Sequence, residues 1–227
     1  MQTRYLRVDP ARPEAAVIDQ AARVIRAGGV VAHPTETVYG LAADVFSEPA
    51  VRRVFAAKGR PPGKPLIVAV ATREDLERLV RELVPGAEAL MEAFWPGPLT
   101  LVLPRRPEVP EVVTGGRDGV AVRMPAHPVA LALIRAAGIP VTTTSANVSG
   151  RQPPLTAGEV RRQLWGRIEV LLDGGPAGSG IPSTVLDLTA RVPTVVRPGA
   201  LGPAELAAVL GRPVAAPESA AGTARRP

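Results

Sequence analysis

Two residue types that are scarce in this chain sit where chemistry could be done. Lysine occurs only at Lys58 and Lys64, although lysine and arginine together number 27, and asparagine occurs only at Asn147. A composition that uses arginine almost wherever a cation is wanted marks the two lysines as positions needing a compact ammonium rather than a planar guanidinium fork. Both lie in the stretch HPTETVYGLAADVFSEPAVRRVFAAKGRPPGK (33–64), and Asn147 lies in TTTSANVSG (142–150). Ammonium, hydroxyl and amide groups bind phosphate or carboxylate oxygens without any protein nucleophile. The two loops are therefore predicted to meet around one anionic ligand.

Other chemistries are excluded residue by residue. The chain has no cysteine, so disulfides, thiolate metal sites and cysteine nucleophiles are absent, and only His33 and His127 could build a histidine zinc site. His127, before Pro128, reads as a loop residue at a helix start. No Gly-x-Ser-x-Gly elbow surrounds Ser145. Gly59-x-x-x-Gly63-Lys64-Pro65 is not a P-loop: its glycines are too close, Pro65 replaces the magnesium-binding hydroxyl, and Pro61 and Pro62 lack N–H groups. Arg123 ends an apolar strand, where it is either a solvated terminus or a buried ligand for carboxylate or phosphate.

The elements that must position these groups follow from periodicity and punctuation. Strands are predicted at Tyr5 to Val8, Val30 to His33, Leu66 to Val70, Thr100 to Leu103, Val120 to Arg123, Pro140 to Thr143, Glu169 to Leu172, Thr184 to Leu188 and Thr194 to Arg197. Helices are predicted between them: Glu14 to Arg26 with Val17, Ala21, Val24 and Ile25 inward, and one starting at Ser47-Glu48-Pro49 that delivers Lys58 and Arg60 at its end. A third starts at a Thr72/Asp75 capping box and runs through Leu83, a fourth spans Gly86 to Phe94, a fifth Pro128 to Ala137, and a sixth starts at a Thr156/Glu159 capping box. Residues 34–40 leave an apolar strand end with four polar side chains, which favours a binding loop over a plain turn. The glycine-rich stretch from Asp173 to Thr184 reads as a flexible loop able to close over a ligand. Residues 1–211 are expected to form one α/β domain and 212–227 a disordered tail.

Apolar runs are too short to span a bilayer, and no signal peptide is visible at the N-terminus. A cytoplasmic protein is the expectation. The formal charge of +6 favours nucleotide or RNA partners, and 51–64 holds five cations with no acid. An aromatic content of 3% argues against an RNA-binding sheet of stacked rings.

The motifs PTETVYGL (34–41), KGRPPGKPLIV (58–68), WPGPLTLVL (95–103), VAVRMP (120–125), TTTSANVSG (142–150), PSTVLDL (182–188) and VRPG (196–199) occur in this order. With them the chain resembles the YrdC-like family of threonylcarbamoyl-AMP synthases, in a short single-domain form. It departs at Ala69, where some members have histidine, and at Lys64, where others carry a neutral residue. The resemblance implies a twisted, mostly parallel or mixed sheet with flanking helices around a basic cleft. It also implies a nucleotidyltransferase that joins L-threonine, bicarbonate and ATP into threonylcarbamoyl-AMP and pyrophosphate. A tRNA threonylcarbamoyl transferase complex would then carry the group to the adenosine beside the anticodon. By motif position Thr35, Thr37, Arg123, Thr143 and Ser183 would hold threonine. Arg60, Lys64, Gly119, Ser145, Asn147, Pro153 and Arg197 would hold ATP, with Lys58 and Arg60 catalytic. Magnesium would bridge the phosphates, and no protein metal site is implied.

Two other activities stay open at this level. One is a non-catalytic RNA-binding protein using the basic cleft, the other a carbamoyl-adenylate-forming enzyme with a different carbamoyl donor; double-stranded RNA binding is also expected of the synthase itself.

Overall fold

In the computed structural model, which describes residues 2–216, eleven strands are divided between two mixed sheets. In chain order the elements begin β1 (Arg4–Arg7), α1 (Ala15–Arg26), β2 (Val31–His33), β3 (Gly40–Ala42), α2 (Glu48–Lys58), β4 (Ile67–Ala69), α3 (Arg73–Glu77) and α4 (Ala87–Phe94). They continue with β5 (Leu99–Pro104), α5 (Glu111–Thr114), β6 (Gly119–Arg123), α6 (Pro128–Ala137), β7 (Val141–Thr142) and β8 (Thr144–Ser145). The last are α7 (Ala157–Leu164), β9 (Val170–Asp173), β10 (Thr184–Asp187), β11 (Thr194–Arg197) and α8 (Pro203–Leu210).

The first sheet runs β1-β9-β2-β3-β8 and the second β11-β10-β5-β6-β4-β7. The expected α/β class and mixed sheet are present. Pairing is parallel for β1/β9, β9/β2, β10/β5 and β4/β6 and antiparallel at the other five junctions. The inner strands β9, β2 and β3 of the first sheet are buried on both faces, whereas its edge strand β1 is largely exposed. In β2, Val31 packs with Ile18, Ala22 and Ile25 of α1 and Leu133 of α6, while Ala32 faces the opposite core with Tyr39 and Leu41.

Three local predictions shift. In α1 the inward residues are Ile18, Ala21, Ala22 and Ile25, with Val17 and Val24 only flanking, where the helix packs against α6. The helix after Thr72 stops at Glu77: Thr72 caps it at 3.2 Å, but the Asp75 carboxylate turns back to the Ala71 N–H, and Val80 bridges to Arg105. The Thr156/Glu159 capping box forms as read. Of the expected tail, Arg212 donates to the Pro85 carbonyl and Ala215 pairs with Thr194, whereas 217–227 lies outside the described residues.

Two features of this topology make a site. The loop 34–39 joins antiparallel β2 and β3, so it is a strand-to-strand connection and also the floor of a cavity. The segment 141–145 changes sheets, β7 belonging to the second and β8 to the first, with Thr143 alone between them. Its N–H is held by the Ile67 carbonyl at 2.8 Å. The side chain at that crossing faces the crevice between the sheets.

Candidate active site

A cavity of about 200 Å³ opens where the two sheets part. It is lined by Thr35, Thr37, Arg60, Arg123, Thr143, Ser145, Pro153, Ser183 and Arg197, all of them sequence-predicted site residues, together with Val38, Gly40, Pro65, Ile67, Thr144 and Pro182. A second cavity of about 390 Å³ shares Pro65, Ile67 and Arg197 with it. This neighbour is more apolar, with Leu66, Val102, Ala121, Val185 and Val196 in its walls and Asp118, Asp187 and Gly119 beside them.

Arg123, at the end of β6, is 5% exposed. Its Nε donates to the Gly97 carbonyl at 3.1 Å, one terminal nitrogen donates to Thr37 Oγ1 at 3.1 Å, and the other forms an ion pair with Glu36. A guanidinium has five N–H donors, so these three bonds leave two for a ligand. Thr35 gives its hydroxyl proton to the Val38 carbonyl at 2.7 Å, so in the 2.9 Å contact between the two threonines Thr37 must be the donor. With Arg123 also bound to it, the Thr37 oxygen can only accept from a ligand.

Arg60 follows Gly59, whose left-handed backbone (φ 56°) ends α2 and turns the chain into the cavity wall. It donates to the Pro65 carbonyl at 2.8 Å. Arg197 donates to the Ser183 carbonyl at 2.7 Å and to Ser183 Oγ at 3.0 Å, and Ser183 Oγ also meets Thr100 Oγ1 at 2.8 Å. Burial lowers the pKa of Arg60, Arg123 and Arg197, and for Arg197 the charges of Arg123 and Arg60 add to the effect. Arginines nevertheless stay protonated. Three crowded cations with one carboxylate among them form a site that an anion relieves.

Lys58 and Asn147 do not line the cavity. Lys58 is 1% exposed, and its Nζ bonds the Ser145 carbonyl, the Asn147 carbonyl at 2.8 Å and Asn147 Oδ1 at 3.2 Å. Burial lowers its pKa to about 7, with the Arg60 charge adding to the shift. Three oxygen acceptors oppose that shift, because only the protonated ammonium has a third N–H. Asn147 is equally committed: Nδ2 donates to the Val148 and Arg151 carbonyls at 2.9 and 2.7 Å, and Oδ1 accepts from Lys58 and from Ser145 Oγ at 2.5 Å. The expectation that Lys58 and Asn147 line the cleft is corrected by this saturation. Lys58 builds the wall that presents Ser145.

Lys64 is exposed and stands outside both cavities, because Pro65 turns inward in its place; only its carbonyl is used, by Arg60 at 3.3 Å. Gly119 borders the second cavity rather than the first. The cation run 51–64 is not a patch either, since Arg52 pairs with Glu48, Arg53 with Glu169, and Lys58 is buried.

The loop 174–183 is docked rather than open. Consecutive N–H groups of Gly178, Ser179 and Gly180 donate to the carbonyls of Thr35, Glu36 and Thr37 at 3.3, 2.9 and 3.0 Å, and Tyr39 Oη donates to the Gly175 carbonyl at 2.6 Å. It carries Pro182 and Ser183 into the cavity. Sequence reasoning missed Glu36 as the partner of Arg123; its one signal was an acid between two cavity threonines.

Residues 23–199 match the Sua5/YciO/YrdC family, whose description is telomere recombination. The chain belongs to this family. Threonylcarbamoyl-AMP synthase of Pyrococcus abyssi (strain GE5 / Orsay) is 51% identical over 191 residues, 84% of this chain and 56% of that protein. The Bacillus subtilis (strain 168) protein of the same name is 47% identical over 195 residues, 86% of this chain and 56% of its own. This Sua5/YciO/YrdC chain thus spans little more than half the length of those two relatives. The crystal structure of P. abyssi Sua5 complexed with L-threonine superposes with a TM-score of 0.90 at 48% identity, covering 93% of this chain and 62% of that one. No helix among the described residues is long and apolar enough to cross a membrane.

Proposed function

We propose that this protein is an L-threonylcarbamoyladenylate synthase. The observation that carries the reading is the joining of two chemically different cavities at Arg197, one rich in hydroxyls and buried arginines and one apolar with carboxylates beside it. An amino acid suits the first, with its carboxylate on the two free N–H groups of Arg123 and its polar atoms among Thr35, Thr37, Thr143 and Ser183. An adenosine suits the second, between Ile67, Ala121 and Val185, and its triphosphate would cross Arg197 toward Arg60 and Ser145. The names of the relatives and the threonine bound to P. abyssi Sua5 support the same substrates.

The chemistry needs no protein nucleophile. The threonine amine captures bicarbonate to give a carbamate and water; a carbamate oxygen attacks the α-phosphorus, and the bond to the β-phosphate breaks with the electron pair leaving on pyrophosphate. The protein's share is positioning and charge neutralisation. Arg60 and Arg197 offset the phosphates while Arg123 keeps the amino acid in register. Magnesium would arrive on the triphosphate; no cluster of three His, Asp or Glu suited to a metal occurs among the described residues. The product is a mixed anhydride, and we propose that a tRNA threonylcarbamoyl transferase complex in the cytoplasm consumes it on the adenosine beside the anticodon. Double-stranded RNA binding is a companion proposal supported by the formal charge of +6.

Pyrophosphate release from ATP and bicarbonate, with and without L-threonine, tests the reading. Strict threonine dependence is expected. Release without threonine would move the assignment to another carbamoyl donor.

A further inference from the structure

Glu36 is the one carboxylate ion-paired to any of the three cavity arginines among the described residues. It engages Arg123 through Oε1, while its second oxygen, Oε2, is buried without a hydrogen-bond partner. A buried carboxylate oxygen left unpaired is costly, and in a native site it marks a donor that arrives with a ligand. The Glu36 side chain keeps 20% of its surface exposed, with Oε2 itself buried and the residue directly behind the cavity lining. Its chain neighbours on both sides, Thr35 and Thr37, and its ion partner Arg123 all line the first cavity. The backbone holding it is fixed by the docked loop, whose Ser179 N–H binds the Glu36 carbonyl at 2.9 Å.

We infer that Glu36 reads the α-amine of the amino acid: with one oxygen it orients Arg123, and it offers the other to the ligand's ammonium. Arg123 and Glu36 together then complement a zwitterion, positive group to carboxylate and negative group to ammonium. This deepens the threonine reading and rests on it. The competing partner for an ammonium is His33, also buried with an unpartnered Nε2. Its ring is neutral, so it offers a lone pair but no charge, and charge-assisted bonds are the stronger ones. Selection of a zwitterion also serves the chemistry, because an amine is the one group that bicarbonate can convert to a carbamate. A hydroxy acid that occupied the site would block it.

The test is calorimetric titration of L-threonine and of 2,3-dihydroxybutanoate, the same molecule with hydroxyl in place of the amine, into the wild type, Glu36→Gln and Glu36→Asp. The wild type should prefer threonine by about tenfold or more. Glu36→Gln keeps the shape and an acceptor for Arg123 but loses the charge; it should weaken threonine by roughly ten- to hundred-fold while the hydroxy acid stays within about twofold, so that the preference disappears. Glu36→Asp keeps the charge and should retain a preference for threonine, which covers the case that the glutamine variant does not fold. Equal weakening of both ligands in Glu36→Gln, or unchanged threonine binding, would overturn the inference and leave Glu36 as a prop for Arg123. A wild type that binds the hydroxy acid as well as threonine would also overturn it. Failure of the wild type to bind either ligand is a different result, and it overturns the threonine reading together with this inference.

Discussion

Lys58 and Asn147, 89 positions apart in sequence, are joined twice by one ammonium group, at 2.8 Å to the asparagine carbonyl and at 3.2 Å to its side-chain oxygen. The third N–H goes to the Ser145 carbonyl. The two rare residues of the sequence therefore form a saturated hub behind the cavity wall, and their service to the site is to fix Ser145.

Lys58→Met removes all three donors while keeping the apolar stem. Buried acceptors that lose a partner cost about 1–3 kcal/mol each, so a loss of about 3 kcal/mol or more is expected. Thermal denaturation should show a fall of roughly 6–12 °C for a chain of this size. Retained stability with activity abolished would return Lys58 to a direct catalytic role.

Arg123→Ala should raise the KM for threonine by roughly ten- to hundred-fold and that for ATP by much less, since Arg123 lines the amino-acid cavity and its three bonds leave two N–H groups uncommitted. Steady-state kinetics with each substrate varied in turn decides this. An equal rise in both KM values would remove Arg123 from threonine binding.

His33 gives the protein an acid limb. Its ring is fully buried, Nδ1 donates to the Pro34 carbonyl at 3.1 Å, and burial lowers its pKa from 6.5 to about 4. Between these values the unfolded chain binds a proton that the folded chain refuses. Stability from this group is complete above about pH 6.5 and is lost as pH falls toward 4, by about 3 kcal/mol in total at 1.36 kcal/mol per unit. His33→Leu should flatten that part of a plot of denaturation midpoint against pH, and an unchanged slope would show that other groups set it.

Gly178 lies flush on the 34–39 loop: a Cβ there would come within 2.1 Å of the Glu36 carbonyl oxygen, a backbone atom that cannot step aside. Gly178→Ala should lift the 174–183 loop off its three hydrogen bonds and displace Ser183. A stability loss of about 1–3 kcal/mol is expected, with faster proteolysis within 174–182 and a higher KM for threonine. Unchanged proteolysis would show that the loop tolerates the extra methyl group by moving as a unit.

The sequence by itself determined much of the local structure and named many of the residues that line the cavity. Ser47 before Pro49, the Thr156/Glu159 box and the apolar strands act over a few residues, where capping and periodicity decide the outcome. Nine residues named from the sequence line one cavity, six of them in the motifs around Thr35, Arg123, Thr143 and Ser183. What only the tertiary structure decided is which atoms of those motifs face a ligand. Lys58, Asn147 and Lys64 lie in the motifs as plainly as Arg60 does, yet two are spent on each other behind the wall and the third points to solvent. Glu36 was one polar residue among several until β6 brought Arg123 against it. Side-chain type states what a group can bind. Whether its donors and lone pairs are still free depends on partners that may come from 89 residues away, and chain spacing carries no record of those long-range bonds.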